Sequence, residues 1–301
     1  MGKIIITGAN GFLGKNLINH LSDFGIRSAA LLDIHSTEIE SDQHINLIQH
    51  KIDLASDSGA LNDLVEEGDK VIHLAWKSNP AVTGADIEAE KQLNWEASKN
   101  VIDVCTNKNA KMIFISSGGT VYGEPEYLPI DEEHPTNPIS AYGIIKLKVE
   151  QAIREASVQN GLQFVILRPS NLYGQGFSLK KGLGVIGHWV DMIKNNQPIK
   201  MVGEGVLTRD FIHVDDLCKG ILNCINLNNE TLNLGTGKGI SLKELSVIFE
   251  KLIDRPLDII HLEDRNFDVD TNILSVKKVQ KLTGWKPLVS IEVGIDQLLG
   301  N

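Results

Sequence analysis

Tyr142 and Lys146 stand four residues apart in the run Ser140-Ala141-Tyr142-Gly143-Ile144-Ile145-Lys146. Four residues is about one helical turn, so on a helix a phenol and an ammonium share one face. A free tyrosine ionises near pH 10, and its use as a base at pH 7 requires an offset of about 3 units, or roughly 4 kcal/mol. A cation at about 4 Å supplies something of that order where the effective dielectric is near 20. The pair reads as a proton-transfer device, although Tyr-x-x-x-Lys also arises on helices by chance. Its meaning depends on what surrounds it.

The amino terminus supplies the first context. Lys3-Ile4-Ile5-Ile6 is a β-branched run that predicts a buried strand. It leads into Thr7-Gly8-Ala9-Asn10-Gly11-Phe12-Leu13-Gly14, and then into residues 15–21, which have helical spacing. Gly8, Gly11 and Gly14 would permit a tight turn, close backbone approach to a pyrophosphate and close packing of helix on strand. The helix start would offer free N–H groups and a positive dipole end to the phosphates. Glycines in this strand–turn–helix setting predict a dinucleotide site. A second strand, 27–32, ends at Asp33, roughly 20 residues beyond the glycines. A carboxylate there accepts hydrogen bonds from a ribose 2′-hydroxyl and repels a 2′-phosphate, which favours NAD over NADP. Arg27 sits at the wrong end of the strand to reverse that preference.

The elements that must position these groups follow a βαβα rhythm. Apolar runs at 45–52, 70–74, 111–115 and 163–167 read as strands, and segments 59–66, 86–107 and 142–158 as helices. Such alternation predicts a parallel sheet covered on both faces. Beyond residue 170 the rhythm loosens; a helix at 186–195, a strand at 231–234 and a helix at 242–253 suggest a smaller α/β cap, interleaved with the first domain. The chain has 301 residues, 42% of them hydrophobic, enough for one large domain or two. A net charge of -10 leaves no basic surface to invite nucleic acid or an anionic membrane. No apolar stretch is long enough to span a bilayer, and with the first strand at residues 3–6 no signal peptide is expected. Cys105, Cys218 and Cys224 show no metal-ligand spacing, so no metal is expected, and a cytoplasmic address is.

Ligands of open parallel sheets bind beyond the carboxyl ends of the strands. There the sequence places Ser116-Ser117-Gly118-Gly119-Thr120-Val121-Tyr122-Gly123 and Arg168-Pro169-Ser170-Asn171-Leu172-Tyr173-Gly174. Two further segments, 203–216 with Arg209-Asp210 and 264–268 with Arg265, supply arginines whose guanidinium forks suit phosphate oxygens. His213, in the former, reads as structural. Together with Asp53-Leu54, His73-Leu74-Ala75, Asn94 and Gly284-Trp285-Lys286-Pro287, these segments cover essentially the whole chain. The sequence resembles the extended short-chain dehydrogenases/reductases, specifically the NAD-dependent epimerase/dehydratase family, in the pattern of its UDP-glucose 4-epimerase members.

The resemblance implies a Rossmann-type doubly wound parallel sheet with a smaller C-terminal α/β substrate-binding domain. Residues 1–170 would form the NAD-binding domain, with 207–238 returning to it, and 171–206 and 239–301 would bind the sugar nucleotide. It implies inversion of C4 of a UDP-hexose through a transient 4-keto sugar, Tyr142 and Lys146 being catalytic and NAD retained through turnover; a nucleotide-sugar 4-ketoreductase is the alternative. Gly8, Asn10, Gly11, Phe12, Leu13, Gly14, Asp33, Asp53, Leu54, Leu74, Ala75 and Asn94, with Tyr142 and Lys146, would hold the cofactor. Asn171, Arg209 and Arg265 match diphosphate-binding positions. Family members generally dimerise through two helices, here 86–107 and 142–158, and a homodimer is expected.

Four positions depart from the family pattern. Dehydratases carry an Asp-Glu pair where this chain has Gly119 and Thr120, which cannot transfer the protons of dehydration. Gly118 stands where Ser or Thr is common, so another hydroxyl must bridge to the sugar: Ser117 is expected, with Thr120 as runner-up. Asn272 matches a position where a Tyr often crowds the sugar C2 substituent, so tolerance of UDP-N-acetylglucosamine and UDP-N-acetylgalactosamine is expected. Met201 and Val202 express no preference between uracil and thymine.

Overall fold

A computed structural model describes residues 2–35, 45–78, 86–176, 184–263 and 269–300. Its centre is a parallel sheet of β1 (Ile4–Thr7), β2 (Ser28–Asp33), β3 (Asn46–Lys51), β4 (Lys70–His73), β5 (Lys111–Ile115) and β6 (Phe164–Pro169). Three later strands, β7 (Asn171–Tyr173), β8 (Ile199–Val202) and β9 (Thr208–His213), lie outside it, and β10 (Glu230–Leu234) returns as its seventh member. The order is β10-β6-β5-β4-β1-β2-β3. The chain winds outward from β1 in one direction and from β4 in the other, so the switch point lies between the carboxyl ends of β1 and β4.

Side-chain alternation explains why both faces are covered. Ile4 and Ile6 point into one apolar cluster and Ile5 into another. The first cluster takes Leu17 and Ile18 of α1 (Phe12–Asn19). The second takes Leu61 of α2 (Ser58–Leu64), Val101 of α3 (Ile87–Asn107) and Val149 and Ile153 of α4 (Ala141–Asn160). Beyond them, α5 (Val185–Lys194), α6 (Val214–Cys224), α7 (Leu242–Ile253), α8 (Lys277–Thr283) and α9 (Ile291–Leu299) complete the described helices. Trp189, Met201 and Phe249 centre a third cluster, whereas Leu217 and Ile221 of α6 join the first. Small strands β11 (Gly239–Ser241), β12 (Ile259–Leu262) and β13 (Thr271–Asn272) pair with β9, β8 and β9 respectively.

The elements expected from the sequence are found with ends moved by at most three residues. Sequence spacing does not anticipate α6, α8 or α9, nor the short strands β7 to β9 and β11 to β13, whose two to six residues carry too little periodicity. His213 accepts a hydrogen bond from Asp215 N at the start of α6, a capping role. All three cysteines are buried, and burial pushes the Cys224 thiol up to about 12.

One buried ion pair ties the sheet to α4. Arg168 Nη2 donates to Glu150 Oε2 at 2.6 Å and Arg168 Nε to Glu150 Oε1 at 3.0 Å. Ser116 Oγ donates to the same carboxylate at 2.6 Å, and Arg168 Nη1 donates to Tyr122 Oη at 2.9 Å. Burial raises the Glu150 carboxyl, but the Arg168 bonds and charge outweigh it and hold the group below its ordinary range. Removing one partner of such a pair strands the other charge without solvent. Glu150→Ala is expected to cost about 3–5 kcal/mol of stability, read as a fall in the urea midpoint; an unchanged midpoint would contradict this account.

Candidate active site

Tyr142 lies in the first turn of α4, whose N-cap Ser140 accepts from Gly143 N at 3.2 Å. A Cβ on Gly143 would stand 2.7 Å from Thr120 O, so only glycine lets this helix start rest on the Ser117–Thr120 loop. One turn on, Lys146 is buried and donates to Ile115 O at 2.7 Å. Its Nζ rests 3.5 Å from the centroid of the Trp76 ring and 5.6 Å from that of Tyr142. Trp76 meets Tyr142 edge to face at 5.8 Å.

Burial lowers Lys146 to about 7, and Glu90 and Glu150 oppose that fall. Burial raises the Tyr142 phenol above its ordinary value, and the Glu90 charge adds to the rise. The lowered phenol expected from the four-residue spacing is therefore absent here. The physical reason is that Lys146 spends its hydrogen bond on Ile115 O and its charge on Trp76, while desolvation penalises a phenolate.

At the switch point the glycine turn takes the expected form. Gly8 has φ +69°, and a Cβ there would lie 2.7 Å from the Ala75 backbone after β4. Gly11 and Gly14 close on the same turn: their Cβ atoms would stand 3.0 and 2.5 Å from Gly8 O. Phe12 and Leu13 pack half-buried on the first cluster. Asp33 accepts from Asn10 N at 3.0 Å and from His35 N at 3.2 Å, which holds its carboxylate beside the turn. Asn10 Oδ1 is buried without a partner in a hollow bounded by Asp33, His50 and Lys51. This backbone cradle, with its carboxylate and spare acceptor, fits a dinucleotide. Asp53 accepts from Ala55 N at 3.1 Å and Leu54 packs into the second cluster, so the Leu54 side chain itself serves the core.

A chain of hydrogen bonds fixes the segment after β4. Ala75 N donates to Thr7 Oγ1 at 3.2 Å, and Thr7 Oγ1 meets His73 Nδ1 at 2.8 Å. His73 Nε2 meets Ser98 Oγ at 3.1 Å, and Ser98 Oγ donates to Asn94 O at 2.9 Å. Since Ser98 gives its proton to Asn94, the His73 proton must lie on Nε2, and Thr7 donates to Nδ1. Burial, with the Lys146 charge, lowers His73 to about 3 and keeps it neutral. Leu74 N donates to Thr7 O at 3.2 Å. The Asn94 side chain accepts from Lys77 N at 2.7 Å and donates to Glu90 Oε1 at 2.8 Å. Trp76 and Glu90, which the sequence reading does not single out, border the Tyr142–Lys146 pair; a Glu one helical turn before Asn94 was the available signal.

The remaining described candidates lie on the loop beyond β5 and on strands β7, β9 and β13. Ser117 Oγ has no hydrogen-bond partner among the described residues, and Thr120 Oγ1 is buried without one. Asn171 Nδ2 donates to Asp210 O at 3.1 Å, and the Asn171 amide lies beside Gly119. Arg209 Nη1 donates to Thr208 O at 2.9 Å and Asp270 O at 3.3 Å. Asn272, on β13 opposite Arg209, donates to Gly118 O at 3.1 Å and keeps a buried Oδ1 without a partner. Arg265 falls outside the described residues. Asp210, also missed as an organiser, accepts from Thr236 N at 2.9 Å, Gly237 N at 3.0 Å and Thr236 Oγ1 at 2.7 Å.

With this geometry in view, relatives define the class. The family model for the NAD dependent epimerase/dehydratase family matches residues 4–235. The chain belongs to that family, and its cofactor is NAD. It is 34% identical, over 98% of its length and 97% of the relative's, to a Methanocaldococcus jannaschii protein provisionally named a UDP-glucose 4-epimerase. It is 29% identical to an Escherichia coli dTDP-4-dehydro-6-deoxyglucose reductase, covering 98% and 96%. The solved UDP-glucose 4-epimerase of Thermotoga maritima, with UDP-glucose, superposes with a TM-score of 0.89 at 25% identity, covering 99% and 97%. The chain is thus a UDP-glucose 4-epimerase-like enzyme of that family.

The fold explains the departure at Gly118. A Cβ there would stand 2.5 Å from Leu274 Cδ1 and 3.0 Å from Arg168 O, so Leu274 fills the room a Ser or Thr would need. Gly118→Ser is expected to destabilise the protein by about 1–3 kcal/mol. Adding Leu274→Val should recover part of that loss in a double-mutant cycle read by urea unfolding; strict additivity would show that Leu274 is not the obstacle.

Proposed function

We propose that this enzyme inverts C4 of a UDP-hexose, interconverting UDP-glucose and UDP-galactose through a transient 4-keto sugar. The observation that carries the reading is the Tyr142–Lys146 pair, set by the start of α4 against the hydroxyl-bearing loop after β5, beside the dinucleotide cradle. The likeness to the Methanocaldococcus jannaschii and Thermotoga maritima proteins supports it.

Bound NAD supplies the hydride acceptor and donor that C4 requires. As phenolate, Tyr142 would take the proton of the sugar 4-hydroxyl and later return it, which requires the positive charge of bound oxidised NAD to offset the rise that burial and Glu90 impose. Lys146, lowered to about 7 by burial, would hold the ribose hydroxyls of bound NAD with the N–H groups not given to Ile115 O. The α4 amino terminus adds its positive dipole end at Tyr142. Ser117 bridges to the sugar 4-oxygen, its hydroxyl being half-exposed and uncommitted; Thr120 is the second candidate. Asn171, Arg209 and Arg265 hold the diphosphate while the hexose turns. Asn272, smaller than tyrosine, leaves room for an N-acetyl group at C2. Gly119 and Thr120 offer no acid–base pair for dehydration.

The reading extends to organisation. Residues 1–170 with 207–238 serve NAD, supported by β10 in the central sheet and α6 on the first cluster. Residues 171–206 and 239–301 serve the sugar nucleotide, supported by the separate Trp189 cluster. A homodimer would form on α3 and α4, where Ile87 is exposed. Buried free thiols suit a cytoplasmic address. No described helix is long and apolar enough to cross a membrane.

Purified protein incubated with UDP-galactose and no added cofactor should yield UDP-glucose, and Tyr142→Phe should lower that rate by about 10²–10⁴-fold. Stoichiometric consumption of added NADH on a 4-keto sugar would instead favour a reductase, the activity named for the Escherichia coli relative. Between the two hydroxyls, Ser117→Ala should cost about 10²-fold in kcat and Thr120→Val much less. The reverse ranking would transfer the bridging role to Thr120.

A further inference from the structure

Glu90 is fully buried in the first turn of α3, yet its carboxylate is not an isolated charge. Its Oε1 accepts from Trp76 Nε1 at 2.9 Å, Ser78 Oγ at 2.6 Å and Asn94 Nδ2 at 2.8 Å. Burying a carboxylate costs several kcal/mol unless donors and a counter-charge replace water. Three donors aimed at one oxygen meet part of that need. They also have a geometric effect: the indole, held by its N–H, presents its face to Lys146 at 3.5 Å and its neighbourhood to Tyr142 at 5.8 Å. Trp76 thus stands between a buried anion and a buried cation, within the segment after β4 that borders the dinucleotide cradle.

We propose that Glu90 is a positioning residue, whose carboxylate fixes the Trp76 indole beneath the Lys146 ammonium and supplies the negative charge against which Lys146 and Tyr142 ionise. The idea rests on reading Tyr142 and Lys146 as the proton-transfer pair. Among the described residues, the carboxylates acting on that pair are Glu90 from α3 on both members and Glu150 from α4 on Lys146. Glu150 is bound by Arg168 of β6 and His73 of β4 is neutral, so Glu90, which acts on both members, is the one to remove. An anion favours the protonated form of both neighbours. Its loss must lower the proton affinity of Lys146 and Tyr142 together, so that Lys146 is less charged and Tyr142 more readily ionised, moving both limbs of a pH–rate profile to lower pH. A residue that only braced Trp76 would depress the rate at every pH and leave the limbs in place.

The test begins without cofactor or turnover. Protein labelled at lysine Cε is titrated by NMR, the Lys146 resonance being assigned by its loss in Lys146→Met. Wild-type Lys146 should titrate near neutrality, and in Glu90→Gln at least about half a pH unit lower, roughly a threefold loss of proton affinity. Titration unmoved or moved upward would overturn the proposal. If Glu90→Gln does not fold, Ser78→Ala, which keeps the carboxylate and strips one donor, should move Lys146 upward; no movement would overturn it equally. With NAD and UDP-galactose, the kcat/KM profile of Glu90→Gln should shift to acid as a whole, and limbs that stay in place would count against it. Should the protein not act on UDP-galactose, the proposed function fails while the NMR titration still decides the role of Glu90.

Discussion

An ammonium taken out of water loses solvation worth several kcal/mol unless other groups replace it, and Lys146 is only 4% exposed. What replaces water here is one carbonyl, Ile115 O, the face of Trp76, and two carboxylates at greater remove. The balance leaves Lys146 near 7, able to gain or lose a proton where a surface lysine could not. Much of the neighbouring structure follows from that constraint. Trp76 must be oriented, so Glu90 is buried to hold it; Glu90 must be satisfied, so Ser78 and Asn94 turn toward it.

The same logic of buried polar groups runs through the rest of the molecule. Glu150 and Arg168 join α4 to β6, and both are fully committed, with Ser116 and Tyr122 completing the set. Asp210 gathers the backbone of 236–237 with Ser170 at 3.2 Å and so holds the loops beyond β6, β9 and β10 together. Such networks add modest net stability but fix geometry, because any misplacement leaves a polar group unpaired. In contrast, four buried atoms have no partner among the described residues: His213 Nε2 at the start of α6, and Asn10 Oδ1, Thr120 Oγ1 and Asn272 Oδ1, which lie where ligands of an NAD-dependent nucleotide-sugar enzyme would be expected. Unspent acceptors and donors concentrate at the site, and spent ones support it.

Gly118 illustrates how a family position can be vacated without leaving a void. Leu274 occupies the room of the missing side chain, and Asn272, two residues earlier on the same segment, binds Gly118 O. Leu274 and Asn272 thus pack where a side chain at 118 would stand. On the proposed function, contact with the sugar oxygen falls to the nearby hydroxyls of Ser117 and Thr120.

Much of the fold was written in local pattern. The isoleucine run before Gly8, the three glycines and Asp33 define a strand, a turn and a carboxylate from short-range sterics and charge, and nothing distant is needed to recognise them. Helices 86–107 and 142–158 announced themselves because about twenty residues of spacing outweigh local noise. The closeness of Tyr142 and Lys146 follows likewise from helical geometry alone. Their ionisation does not: it is set by burial and by charges such as Glu90 from α3, brought near only by the packing of helices on the sheet. The short strands β7 to β9 and β11 to β13, and the filling of Gly118 by Leu274, also belong to tertiary structure, since they exist only where distant segments meet. Sequence by itself determined which groups were present and which neighbours shared a turn; only the folded chain decided their charge, because desolvation depends on what closes around a group and not on what precedes it.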